Sequence, residues 1–142
     1  MSADVARRRN RRARVAARSV TEVMSRPVFG VTTSATLAEA LDLLVEAGVR
    51  HLVVVGDGDR CAGILADRTV AAVWARDPTA LVRIPVGVVL DAIPSIVEAG
   101  ATVAEAARVM GDAGLDAVAV VSEDGRPIGI VTSADLVALL AT

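Results

Sequence analysis

The chain has no Tyr, one Phe and one Trp in 142 residues, so the aromatic platforms on which single-stranded nucleic acid stacks are missing. Lys is absent too, and all 15 basic residues are Arg. A single cysteine, Cys61, excludes an internal disulfide. With only one histidine, His51, no Cys/His set for a structural zinc ion can be assembled. Long apolar runs are also lacking. The longest stretch low in charge, "IPVGVVLDAIPSIV", is too short to cross a bilayer and is broken by Asp91 and prolines. The positive N-terminus is not followed by the apolar segment of a secretory signal. No His/Asp/Ser constellation, metal set or nucleophile with a nearby base is present, so an enzyme is not indicated. Together these absences point to a cytoplasmic, non-catalytic protein without a membrane span.

What is abundant is aliphatic. Hydrophobic residues make up 54% of the chain, mostly Ala, Val and Leu, and imply a close-packed core without aromatic rings. The length suits one compact domain or two small halves sharing a core. Charge is segregated. Residues 1–18 carry seven Arg against Asp4, a net of +6, whereas residues 19–142 carry eight Arg against 16 acids, a net of −8. A basic arm therefore precedes an acidic body. Two readings of the arm stand: a solvated tail or frayed helix lying on its own acidic body, or an element that touches nucleic acid or an anionic membrane surface.

An internal repeat organises the body. Shifting the sequence by 66 residues aligns "TLAEAL" (36–41) with "TVAEAA" (102–107), Gly48 with Gly114, Val54 and Val55 with Val120 and Val121, and Gly63 with Gly129, without a gap. Two copies of this length indicate a duplicated domain rather than a solenoid. Each copy begins with a short extended segment (Val28 to Thr32; Ser95 to Glu98), followed by a Thr-x-x-Glu helix start at Thr36/Glu39 and Thr102/Glu105. Apolar residues then recur at helical spacing until Gly48 or Gly114. Two β-branched runs follow, "HLVVV" with "AGILA" and "AVAVV" with "PIGIV", joined by Gly/Asp turns that suit hairpins. A last helix closes each copy, with Val70, Val73 and Trp74 or Leu136, Leu139 and Leu140 on one face. The fold class is thus α/β (α+β): two tandem β-α-β-β-α repeats packed about a pseudo-twofold axis. The expected divisions are an arm at 1–18, a first repeat at 19–76, a linker at 77–85 and a second repeat at 86–142. Trp74 is expected at the core or at a dimer face, and Cys61 as a small core or edge residue.

This organisation resembles a pair of CBS domains, the Bateman module, over about residues 20–142. "VTEVMSRPVFGV" and "VGVVLDAIPSIV" are similar to the lead-ins of the two repeats, and "GVRHLVVV" and "GLDAVAVV" to the strands that follow the first helices. "GIVTSADL" (129–136) matches the family's Gly-h-x-Thr/Ser-x-x-Asp signature. The resemblance implies a regulatory module that takes AMP, ADP, ATP or S-adenosylmethionine, needs no cofactor, and pairs as a homodimer, with an unidentified protein as a further partner. It also implies that Asp135 accepts hydrogen bonds from ribose hydroxyls, with Thr132 and Ser133 beside the ribose or phosphate. Ile130 and Val131 would hold the base, helped across the cleft by Pro27, Val28, Val49, Arg50 and His51. Arg26, Arg50 and Arg68 are the phosphate candidates.

Read without the family, Thr132-x-x-Asp135 ahead of "LVALL" is simply a third capping box. The roles can coexist, because a helix N-terminus offers free N–H groups and partial positive charge. At the offset of 66, Thr132 faces Ala66 and Asp135 faces Thr69, so the first copy lacks the pair, and Asp67 is left to cap its helix. One competent cleft and one degenerate cleft are expected. Two other readings remain: a ligand-free dimeric scaffold, and a nucleic-acid-associated protein acting through the arm.

Overall fold

The computed structural model describes residues 2–26 and 28–141. Pro27, one of the expected ligand contacts, lies outside them. Two helices, α1 (Ala3–Ala17) and α2 (Val20–Val23), precede the first repeat unit β1 (Gly30–Thr32), α3 (Leu37–Ala47), β2 (His51–Val55), β3 (Cys61–Ala66) and α4 (Asp67–Arg76). The second unit repeats the order as β4 (Ile96–Glu98), α5 (Val103–Ala113), β5 (Ala117–Val121), β6 (Pro127–Thr132) and α6 (Ser133–Ala141). Each unit holds a three-stranded sheet in which the middle strand pairs parallel with the first and antiparallel with the third. The registers are copies of one another: His51 faces Ala66 as Ala117 faces Thr132, and a bulge falls after Val54 as it does after Val120.

The helix ends follow from sequence chemistry. Thr102 Oγ1 accepts from the Glu105 amide and the Glu105 carboxylate accepts from the Thr102 amide, which closes the box at α5. At α3 just one half forms, with Thr36 Oγ1 accepting from the Glu39 amide. Both helices stop at a glycine in the left-handed region, Gly48 (φ 65°) and Gly114 (φ 66°), where a side chain would be strained. Asp67 does not cap α4: it lies inside the first turn, and no side chain caps the preceding Ala66.

Alternation along the strands divides the core in three. Leu52 and Val54 of β2 pack with Leu37, Ala40 and Leu44 of α3, Leu65 and Val70. Val118, Val120 and Val131 pack with Val103, Ala106 and Met110 of α5 and Leu136 of α6. Val53, Ile64, Ala117 and Ala119 lie between the two sheets. Because the strands are covered on both faces, they read as continuous apolar runs. Burying each Val or Ile contributes about 1.5–3 kcal/mol.

The segments ahead of the two units are exchanged. Val20 is fully buried in the core of the second unit, where its amide donates to the Ala101 carbonyl at 3.0 Å. Its counterpart Val86 is fully buried in the core of the first unit, with its amide on the Ala35 carbonyl at 2.8 Å. The isolated bridges Ser19–Thr102 and Thr36–Pro85 repeat the exchange. Two further segments are more ordered than the sequence indicated. The connector forms a 3-10 turn at Ala80–Val82 that buries Leu81, and the end of α1 buries Val15 at the related position of the second unit. Trp74 is not in the core; it is 55% exposed on α4.

Candidate functional site

The exchanged segments bring the last strand of each unit against the lead-in to the other strand pair. Ser25 pairs with Ile130 in both directions, Ser25 N–H on Ile130 O at 2.8 Å and Ile130 N–H on Ser25 O at 3.2 Å. Just before it, Met24 lies on the backbone of Gly129, where an added Cβ would collide with its sulfur. These contacts fix one wall of a cleft of about 430 Å³ at the seam between the units.

Into this cleft the structure brings most of the residues singled out from sequence: Arg26, Val28, Val49, Arg50, His51, Ile130, Thr132, Ser133 and Asp135. Val131 is not among them. Alternation along β6 turns its side chain the other way, and it is fully buried in the core of the second unit. Arg68 also lies elsewhere: its Nη2 donates to the Gly114 carbonyl at 2.6 Å, tying α4 to the far end of α5. Five lining residues were missed, Ser25, Phe29, Val53, Ala134 and Asp116. The signal for Asp116 was available, since the offset of 66 equates it with Arg50. If the start of β2 faces the seam, the start of β5 must face it as well.

Thr132 and Asp135 form a reciprocal cap at the head of α6. The Thr132 amide donates to Asp135 Oδ2 at 2.9 Å, and the Asp135 amide donates to Thr132 Oγ1 at 3.2 Å. This is the structural role foreseen for the pair, and it leaves capacity over. Asp135 Oδ1 has no hydrogen-bond partner among the described residues, and the side chain is only half-buried at the cleft wall. A carboxylate held by one oxygen and open at the other is a fixed acceptor for neighbouring hydroxyl groups.

Across the cleft, His51 Nε2 lies 2.7 Å from Asp116 Oδ1. An ionised carboxylate can only accept, so the imidazole N–H donates, joining the first unit to the second. That hydrogen bond holds the Asp116 carboxyl below its ordinary range, with the charges of His51 and Arg68 acting in the same direction and burial opposing them. Arg50 is exposed and its Nε stands 3.3 Å from Asp67 Oδ2, a weak surface pair that leaves the guanidinium free to turn toward an anion. Arg26 is exposed at the same mouth. Cys61, at the start of β3, has its thiol pushed up chiefly by burial, which does not favour a reactive thiolate.

The counterpart seam carries the same backbone without the opening. It is lined by Ile64, Leu90, Ile93, Pro94, Ser95 and Leu115 among others, and it encloses about 10 Å³. Leu90 lies near Gly63 as Met24 lies on Gly129, and Ser95 is buried with its hydroxyl on the Ala117 carbonyl.

Two tandem β-α-β-β-α units with exchanged lead-ins and an open cleft at one seam define a paired-repeat module. The sequence matches the family profile described as "CBS domain" over residues 20–75 and 85–142, and the chain belongs to that family, in which the pair is a regulatory, non-catalytic module. Among solved structures, hypoxic response protein I, determined with two coordinated zinc ions, is 28% identical with a TM-score of 0.73, covering 84% of this chain and 97% of its own. CBSX2, determined in complex with AMP, is 27% identical with a TM-score of 0.69, covering 85% and 94%. The CBS domain pair of MJ0100, in complex with 5′-methylthioadenosine and S-adenosyl-L-methionine, shares the fold at 23% identity, with a TM-score of 0.72 and coverage of 87% and 95%. Among the described residues no helix is long and apolar enough to cross a membrane.

Proposed function

We propose that the protein is a regulatory sensor that binds one adenosine-containing ligand per chain in the open seam, with AMP the first candidate and ADP, ATP and S-adenosylmethionine the others. The observation that carries this reading is Asp135, a half-buried carboxylate lining a cleft of about 430 Å³, whose Oδ2 is tied to the Thr132 amide while Oδ1 has no hydrogen-bond partner among the described residues. Asp135 accepts from the ribose hydroxyls, and Thr132 and Ser133 stand beside the sugar and phosphate. Val28, Val49 and Ile130 cover the base, and Arg26 and Arg50 meet phosphate. The likeness to a protein solved with AMP supports the choice of ligand.

Magnitudes favour a modest affinity. Hydrogen bonds to a charged acceptor contribute about 1.5–3 kcal/mol, and covering about 100 Å² of base adds about 2.5 kcal/mol. Both are reduced by the cost of immobilising the ligand, which leaves a dissociation constant between micromolar and millimolar. The bare helical face of the first unit, with Leu41, Val45 and Trp74 exposed, supports pairing of two copies through α3 and α4. A cytoplasmic location fits this reading.

Thermal melting tests it. AMP at 100 times its dissociation constant should stabilise the fold by about 2.7 kcal/mol and raise the midpoint by several degrees. A midpoint unmoved by millimolar AMP, ADP, ATP and S-adenosylmethionine alike would leave the ligand-free dimeric scaffold as the better account.

A further inference from the structure

The helix α1 is built of good helix formers but repels itself. Arg7/Arg11, Arg8/Arg12 and Arg14/Arg18 are like-charged pairs at i,i+4, each costing a few tenths of a kcal/mol, and the first turn offers only Asp4 against them. The helix is anchored at its C-terminal end. Val15 is buried in the core of the second unit, and Arg11 Nη2 donates to the Leu140 carbonyl at 2.9 Å, a cation at the negative end of α6. Residues 2–10 are all exposed, as are residues 12–14, so the N-terminal part projects beyond the body. Arg7, Arg8, Arg12 and Arg14 make no ion pair among the described residues. Arg7, Arg8, Arg11 and Arg12 line a groove of about 400 Å³ against Leu140 and Ala141, open to solvent and polar in chemistry.

We infer that the projecting part of α1 is a binding element for duplex DNA that reads the phosphate backbone and not the bases. Its shape fits. A helix with side chains is about 10–12 Å across, the width of the B-form major groove, and arginines lie on opposite sides of this one, Arg7 and Arg14 against Arg12, so that both bordering phosphate rows can be met. Polyanion binding removes the self-repulsion that the isolated helix carries. A membrane surface fits less well, because the projecting part has one large apolar residue, Val5, and no apolar face to enter lipid. Arginine can also pair with a guanine edge, but nothing in the structure aims these side chains at one position, so they are assigned to phosphate. The major groove of an RNA duplex is too narrow to admit the helix. The net charge of −8 on residues 19–142 opposes the approach, so binding is modest and steep in salt.

The test is fluorescence anisotropy of the full chain with a labelled 20-base-pair DNA duplex, titrated at several salt concentrations. Binding at 50 mM salt is expected, with log K falling against log salt at a slope of about −3 to −5. The triple substitution Arg7→Gln, Arg8→Gln and Arg12→Gln, which spares Arg11 and keeps good helix formers, should weaken binding at least tenfold and flatten the slope by about 2 to 3. Arg12→Gln alone should flatten it by about 1, which provides a second reading if the triple variant fails to fold. Arg76→Gln with Arg126→Gln on the body should change neither. No binding at 50 mM salt, an unchanged slope in the arm variants, or equal affinity for duplex RNA would overturn the proposal. So would binding to phosphatidylserine vesicles without binding to DNA. None of these results depends on whether the seam takes a nucleotide.

Discussion

The seam that ends in Thr132 and Asp135 encloses about 430 Å³, whereas its counterpart, lined by Gly63, Ile64, Leu90 and Leu115 among others, encloses about 10 Å³. Strand registers, bulges, exchanged lead-ins and glycine helix stops are common to both, so backbone architecture does not decide which seam is open. Side chains decide it. At the closed seam Leu115 stands where Val49 stands at the open one, Pro94 where Val28 stands, and the small buried Ser95 where Phe29 stands at the rim. Leu90, Ile93, Pro94 and Leu115 line it beside only two polar side chains, Asp91 and Ser95, and the Ser95 hydroxyl is already satisfied by the Ala117 carbonyl. At the open seam, Asp135, His51, Asp116, Arg50 and Arg26 carry polar ends that cannot be packed together dry at a tolerable cost. The two units share one scaffold, and a few side-chain differences leave one seam open and the other closed.

The largest effect that separates the seams is expected at their glycines. Gly129→Ala places a methyl group where the Met24 sulfur and Cγ already lie, and the overpacking should cost up to about 3 kcal/mol in urea unfolding. Met24→Ala added to Gly129→Ala should recover part of that loss, giving a coupling energy of opposite sign to the single change. At the closed seam the same substitution at Gly63 meets Leu90 at an ordinary 3.7 Å, and its cost comes from the backbone at φ 152°. Leu90→Ala should therefore rescue nothing there. Equal rescue at the two seams would break the comparison.

A smaller effect concerns acid. The Asp116 carboxyl is held below its ordinary range by the hydrogen bond from His51. Its folded-state value is depressed, so its contribution is fully present above the unfolded carboxylate range, near 4, and is lost as pH falls through the lower folded value. The side chain is 42% exposed, and solvent screening keeps the contribution below about 1 kcal/mol. Unfolding midpoints at pH 6 and pH 3 should differ by less in Asp116→Asn than in the parent chain. An unchanged difference would mean that the pair does not hold the seam.

Much of this was legible in the sequence because a gapless offset constrains every element twice. The order of strands and helices, the Thr-x-x-Glu helix starts, the glycine stops and the contrast between Thr132/Asp135 and Ala66/Thr69 all follow from that single alignment. The exchange of lead-ins was not legible, because Val20 and Val86 look alike and nothing local says which core each one enters. Val131 and Arg68 were misplaced for a related reason. Strand alternation selects one face only when the register is known, and Arg68 is long enough to reach a carbonyl on another element. The order in α1 was hidden by its charge: repulsion among the arginines suggests a frayed tail, but Ala and Arg are good helix formers, and Val15 with Arg11 holds the helix in place.

The central claim is that one seam alone takes a ribose-bearing ligand and that Asp135 is its fixed acceptor. Titration calorimetry of AMP into the parent chain and into Asp135→Asn tests it most directly. The expected result is one site per chain, with affinity falling at least tenfold in the variant, since the amide keeps the shape but loses the charged acceptor. Two sites per chain, or an affinity untouched by the substitution, would contradict the account.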